Sequence, residues 1–264
     1  IYAKSNSVPV QLESLIIGTG ADLVYPLTVR KAQGEWLWIW VSGKKKEGWI
    51  HREDVCTASE AVKFFTGRIA SNASDKSSIY KRAMAWEELG NLDKALEDIQ
   101  ELVRLQPSAT SYNSRGNIWK AKGSYDLAIK DFDEAIRLDS DYWLAHNNRG
   151  HVWLDKGEWA KALADHFEAL RLEPDDAVAY NGVAWLRATC ADAQFRDGLS
   201  AVEYATKACQ MTGWKEPVYL DTLAAAYAEA GQFEQAVEWQ QKGLDMVPER
   251  HKQDYRDRLQ RYRS

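Results

Sequence analysis

The sequence predicts two domains: a small all-β barrel over residues 1–57, then an all-α solenoid of about five helical hairpins with capping helices. Three observations predict this. A set of glycine, alanine and aromatic residues recurs every 33 or 34 residues across 76–248. Ahead of it the texture changes to Gly and Pro punctuation among β-branched residues. Within that stretch GEWLWIWV (34–41) alternates as a strand does, with Leu37, Ile39 and Val41 on one face and Trp36, Trp38 and Trp40 on the other.

Composition sets the outer bounds. At 264 residues the chain has room for two modest domains, and 45% apolar with 28% charged residues describes a soluble globular protein. No window approaches the roughly 18 uninterrupted apolar residues of a membrane span. A net charge of −5 argues against nucleic acid as partner, which needs clustered cations. KKK at 44–46 reads as a solvated loop. The first residue is Ile1, so removal of an upstream segment is expected, and no signal peptide is visible. Cys56, Cys190 and Cys209 are too few and too scattered for a disulfide framework.

Between residues 1 and 57, the order G-E-W-L-W-I followed by G-W-I-x-x-x-D-V resembles the bacterial Src homology 3 domain, a small five-stranded barrel. In peptide-binding members the tryptophan matching Trp36 lies in the ligand groove. His51 stands near the place where such members carry a proline, and no tyrosine-rich first-strand motif is present. Three rings on one strand face exceed what a free barrel exposes. Either Trp36, Trp38 and Trp40 form a ligand face, with a cell-wall peptide or glycan as one candidate, or they pack on the helix at 60–72 and the first repeat.

The repeats align on Gly90, Gly123, Gly157 and Gly231. Ala95, Ala128, Ala162 and Ala236 follow five residues later, and Trp86, Trp119, Trp153 and Tyr227 precede by four. Ala83, Gly116, Gly150 and Ala224 stand seven before each glycine. Each unit is therefore expected to be helix A, a turn, helix B and a break near Pro107, Ser140, Pro174 or Pro248. The pattern resembles the tetratricopeptide repeat, with units at 76–108, 109–142, 143–176, 177–216 and 217–248. In the fourth, the step from Ala162 to Ala201 is 39 residues, so ADAQFRD (191–197) enlarges the turn, as a surface insertion or a binding loop. Residues 58–75 hold a linker and a capping half-repeat, and 249–264 form a charged capping helix.

Helix A carries Arg82, Arg115 and Arg149; helix B carries Asp98, Asp131 and Asp165, each 16 residues on. Both positions lie equally far from the turn, so antiparallel packing brings them together as structural ion pairs. In the fourth and fifth units both charges vanish together: Val183 and Leu223 stand opposite Tyr204 and Trp239.

Two positions after the first turn of helix A define a candidate binding face. The fifth position of each unit carries Asn113, Asn147, Asn181 and Asp221, and the ninth carries Asn117 and His151. The resemblance implies that this face lines the concave groove of a superhelix, where a column of amides would bond an extended peptide backbone. The competing reading makes the asparagines helix-packing residues.

No catalytic grouping, phosphate loop, metal cluster or cofactor motif stands out. His146 and His151 are five apart, which places them on different helix faces; His146 and His166 read as core. The leading expectation is a non-enzymatic scaffold whose groove holds a peptide or partner segment. The alternative is a surface-targeting module in which the barrel binds and the repeats act as spacer. Bacterial export is favoured over the cytoplasm, with the compartment left open.

Overall fold

The computed structural model describes residues 15–17, 26–33, 36–41, 46–51, 55–247 and 249–264, with side chains from Thr57 onward except at Arg250. Among the described residues five strands precede the helices: β1 Leu15–Ile17, β2 Pro26–Gln33, β3 Trp36–Val41, β4 Lys46–His51 and β5 Val55–Thr57. They form one antiparallel sheet in the order β4-β3-β2-β1-β5. The β2–β3 register shifts between Val29 and Lys31, and Trp38 lies opposite Trp49 across β3–β4. The side chains of Trp36, Trp38 and Trp40 lie outside the described residues, and so does the choice between ligand face and packing.

Twelve α-helices follow among the described residues: α1 Ala58–Ser71, α2 Lys76–Glu88, α3 Leu92–Leu105, α4 Ala109–Ala121, α5 Tyr125–Leu138, α6 Trp143–Asp155, α7 Trp159–Leu172, α8 Ala177–Thr189, α9 Gly198–Met211, α10 Pro217–Glu229, α11 Phe233–Met246 and α12 Lys252–Arg263. Gly90, Gly123, Gly157 and Gly231 all have φ between 71° and 75°. That left-handed conformation ends helix A and suits glycine, which has no Cβ to clash. One residue beyond the glycine, the amides of Asn91, Glu158 and Gln232 bond back to the carbonyls of Trp86, Trp153 and Tyr227 at 2.8–2.9 Å. Aromatic and glycine thus specify one turn together.

The chain divides into two compact units, Ile1–Lys122 and Gly123–Ser264. The boundary expected after residue 57 lies within the first unit, at the junction of β5 and α1, and the unit division lies within the second repeat. In the first unit, α1 begins at a capping box between Thr57 and Glu60. Its Ala58, Ala61, Val62 and Phe65 bury against Ala85 of α2. Ile79, Ala83, Ala95, Ile99 and Ile118 form the adjoining core, with Trp86 and Trp119 packed on it. In the second unit Leu163, Val183, Leu186 and Cys190 make one cluster, and Ala205, Cys209, Leu220, Leu223 and Ala226 make the next.

The enlarged turn of the fourth repeat is tied down. Arg187 donates to the Phe195 carbonyl at 3.2 Å, and the Asp197 amide to the Arg187 carbonyl at 2.9 Å. Arg196 donates to the Cys190 carbonyl at 2.9 Å and to Glu229 at the end of α10 at 3.0 Å. This favours the surface-insertion reading: a binding loop would leave such donors for a ligand.

Candidate functional site

Arg82 grips Asp98 with two bonds, 2.9 and 2.6 Å, and Arg149 grips Asp165 at 2.8 and 2.7 Å. Both aspartates are buried, at 6% exposure. Arg149 also reaches Asp133 at 2.5 Å, and His146 Nδ1 lies 3.6 Å from Asp165. Burial works to raise the Asp165 carboxyl, but the bonds from Arg149 and His146 outweigh it and hold the group below its ordinary value. The third expected pair falls in different units: Arg115 lies over the Tyr112 ring in the first, and Asp131 is buried in the second. Where the charges are lost, apolar contact replaces them: Val183 and Tyr204 share a cluster, as do Leu223 and Trp239.

The amide column is largely inside the protein. Asn113 is 6% exposed, Asn147 1% and Asp221 6%, so these three cannot line an open groove as expected. The reason is geometric. The fifth position of helix A faces the position 19 residues on in its own helix B, not only the neighbouring repeat. Asn147 Oδ1 meets His166 Nδ1 at 2.9 Å, and Asp221 accepts from Gln240 Nε2 at 2.8 Å. The His166 imidazole fills space left by two glycines: a Cβ at Gly150 would sit 3.0 Å from it, and one at Gly182 2.5 Å. His151 packs edge-on against that ring, centroids 4.9 Å apart. In the fourth repeat the insertion shifts the matching helix-B residue to Ala205, which offers no hydrogen bond, and Asn181 Oδ1 stays buried without a partner. Asn117, His151 and Asn181 remain half-buried.

A different concavity was not foreseen. In the second unit α7, α8 and α9 border an open hollow of about 640 Å³ whose lining includes Phe167, Tyr180 and Tyr204 together with Arg171, Glu203 and Lys207. Phe167 is 40% exposed. Tyr204 stands 6.2 Å from Phe167 and 5.7 Å from Tyr180, centroid to centroid. Tyr204 occupies the place that aspartate holds in the earlier repeats, and this substitution was the signal available in the sequence.

Among the described residues no three His, Cys, Asp or Glu side chains are placed to hold a metal, and no helix is long and apolar enough to cross a membrane. Cys190 and Cys209 are free and buried, and burial pushes the Cys209 thiol up to about 12, where it is a poor nucleophile.

Two segments match family models described as TPR repeat (116–157) and tetratricopeptide repeat (218–247). No curated protein sequence matches the chain significantly. Among solved structures, the chain is similar to one of the APC/C hetero-tetramer Cut9-Hcn1, with TM-score 0.68 and 17% identity over 78% of this chain and 40% of that one. It is also similar to the type IV pilus biogenesis factor PilW, with TM-score 0.63 and 18% identity over 78% and 91% of the two chains. YrrB, a TPR protein with an unusual peptide-binding site, matches with TM-score 0.50 and 20% identity over 76% and 98%. The helical part therefore has the tetratricopeptide-repeat fold. This chain spans well under half of the matched Cut9-Hcn1 chain.

Proposed function

We propose that the protein is a non-enzymatic interaction scaffold that holds a peptide or partner segment on its repeats. The observation that carries this is the hollow between α7, α8 and α9. It combines concavity and three aromatic rings with polar and charged side chains in the same lining, and aromatic residues and arginine are the usual energetic anchors at interfaces. The repeat fold supports the same reading, since solved proteins sharing it include one with a peptide-binding site.

A second contact face belongs to α6 and α8 within the second unit, narrowed from the six residues first expected. His151 and Asn181 stay half-buried there. Residues 1–57 are proposed to form the Src-homology-3-like barrel. The five-stranded antiparallel order supports this.

A partner screen by pull-down, followed by titration, separates these surfaces. Phe167→Ala with Tyr204→Ala should weaken binding at least tenfold, and His151→Ala/Asn181→Ala should weaken it less. If only the second set weakens binding, the α6 and α8 face is the site and the hollow is not. If deleting 1–57 abolishes binding while both sets leave it intact, the barrel carries recognition and the repeats are a spacer.

A further inference from the structure

The last helix, α12, is held in an unusual way. It begins 35 residues after α10 (Lys252 against Pro217), close to the 34 that separate α8 from α6 (Ala177 against Trp143). It therefore takes the place of a sixth helix A. Yet the position that is Ala83, Gly116, Gly150, Ala184 and Ala224 in the other A helices, small so that helices can approach, is Leu259 here. Of its twelve residues, KQDYRDRLQRYR, only Tyr255 and Leu259 are buried, and no side chain caps its N-terminus. Very little apolar area holds it in place.

What it covers is specific. Arg258 Nε donates to Asp221 Oδ1 at 2.7 Å, and Gln240 Nε2 donates to the same oxygen at 2.8 Å and to the Tyr255 carbonyl at 3.3 Å. Arg258 also lies over the Tyr255 ring, 5.5 Å from its centroid. Tyr255 enters against Gly243, where a Cβ would come within 3.0 Å of the ring. Leu244, Val247, Tyr255 and Leu259 close the contact. Without Arg258 the buried Asp221 carboxylate would lose its charged partner, so the surface demands a cation. The fit is nonetheless incomplete. Gln240 is fully buried and its Oε1 has no hydrogen-bond donor, an unmet acceptor that a better-fitting occupant would satisfy.

We propose that the face formed by α10 and α11 is a helix-docking surface. It takes a partner helix bearing an aromatic residue followed three and four positions later by arginine and leucine, and α12 occupies it in cis as a displaceable stand-in. Asp221 reads the arginine, Gly243 admits the ring, and Gln240 offers a free acceptor to the incoming helix. The surface is distinct from the α7–α9 hollow, so neither proposal depends on the other.

The test uses the full chain and a labelled peptide of residues 249–264 as probe. Tyr255→Ala/Leu259→Ala loosens α12 in cis, and the chain carrying it should bind the peptide at least tenfold tighter than wild type. On that opened chain, a peptide with Arg258→Glu should bind at least tenfold more weakly than the unmodified peptide. Equal binding by wild-type and opened chains, or equal binding of the two peptides, overturns the proposal. If circular dichroism shows the opened chain unfolded, hydrogen exchange on the wild type decides. Exchange of α12 amides at least a hundredfold faster than those of α10 and α11 supports displacement; exchange of all three as one unit overturns it.

Discussion

Arg149 is pulled by more opposing charge than Arg82, since Asp133 and Asp165 both bond it. Burial opposes its charge, but these bonds outweigh that and push its pKa above the usual arginine range. Removing one member of such a pair strands the other, at a cost of about 3 kcal/mol, whereas an apolar replacement of both loses far less. Arg149→Ala is therefore expected to lower the melting temperature much more than Arg149→Leu with Asp165→Leu; equal losses in thermal denaturation would refute the account. The fourth and fifth repeats already carry the apolar version in Val183/Tyr204 and Leu223/Trp239. The asparagines give a second contrast. Asn147 bonds His166 in the core, so Asn147→Ala should cost about 1–3 kcal/mol, while Asn181→Ala, which breaks no such bond, should stay within about 0.5 kcal/mol. Chemical denaturation of the two variants measures the difference. The ion pairs were legible because equal distance from a turn fixes who meets whom. The depth of the asparagines was not, because helical spacing gives a direction but not what stands in that direction.

At the scale of the element, the hairpins follow from the sequence because glycine, alanine and aromatic residues each meet a local demand of the turn. The insertion obeys no such rule. Its length was legible, but Arg196 reaches Glu229 33 residues away, a contact that no spacing of the repeat encodes. The same region brings α9 hard against the end of α10: a Cβ at Gly198 would lie 2.4 Å from the Ala230 backbone nitrogen. Backbone cannot swing aside as a side chain can. Gly198→Ala should thus destabilise by about 2–3 kcal/mol through overpacking, even though alanine is the better helix former. Gly67, within α1, meets nothing within 4 Å, and Gly67→Ala should stabilise by about 0.5–1 kcal/mol. Opposite signs from two Gly→Ala changes in urea denaturation would support packing, and equal signs would leave only propensity.

For the whole molecule, the sequence places a compositional break near residue 57, where β5 gives way to α1. Charge adds up in a way that can be forecast. Glu101, Glu134 and Glu168 are each held below the usual glutamate range by a bond from an arginine three residues on, and Asp165 is lowered by its partners against the effect of burial. A carboxyl lowered by folding stabilises above its unfolded value, and this is lost as pH falls below about 4. Glu87 behaves oppositely: burial, with Glu88 beside it, raises its carboxyl to about 7. Asp221 is raised too, by burial that Gln240 and Arg258 only partly offset. A raised carboxyl favours the fold below its unfolded value, and that advantage disappears as pH climbs through the folded value. The two trends together place maximum stability near pH 5. Glu87→Gln removes the falling limb, so it should raise the melting temperature at pH 8 by a few degrees, on the order of 1–2 kcal/mol after solvent screening, and leave it unchanged near pH 4.5. Scanning calorimetry at the two pH values checks this, and the same gain at both would show that the charge of Glu87 is not what costs stability.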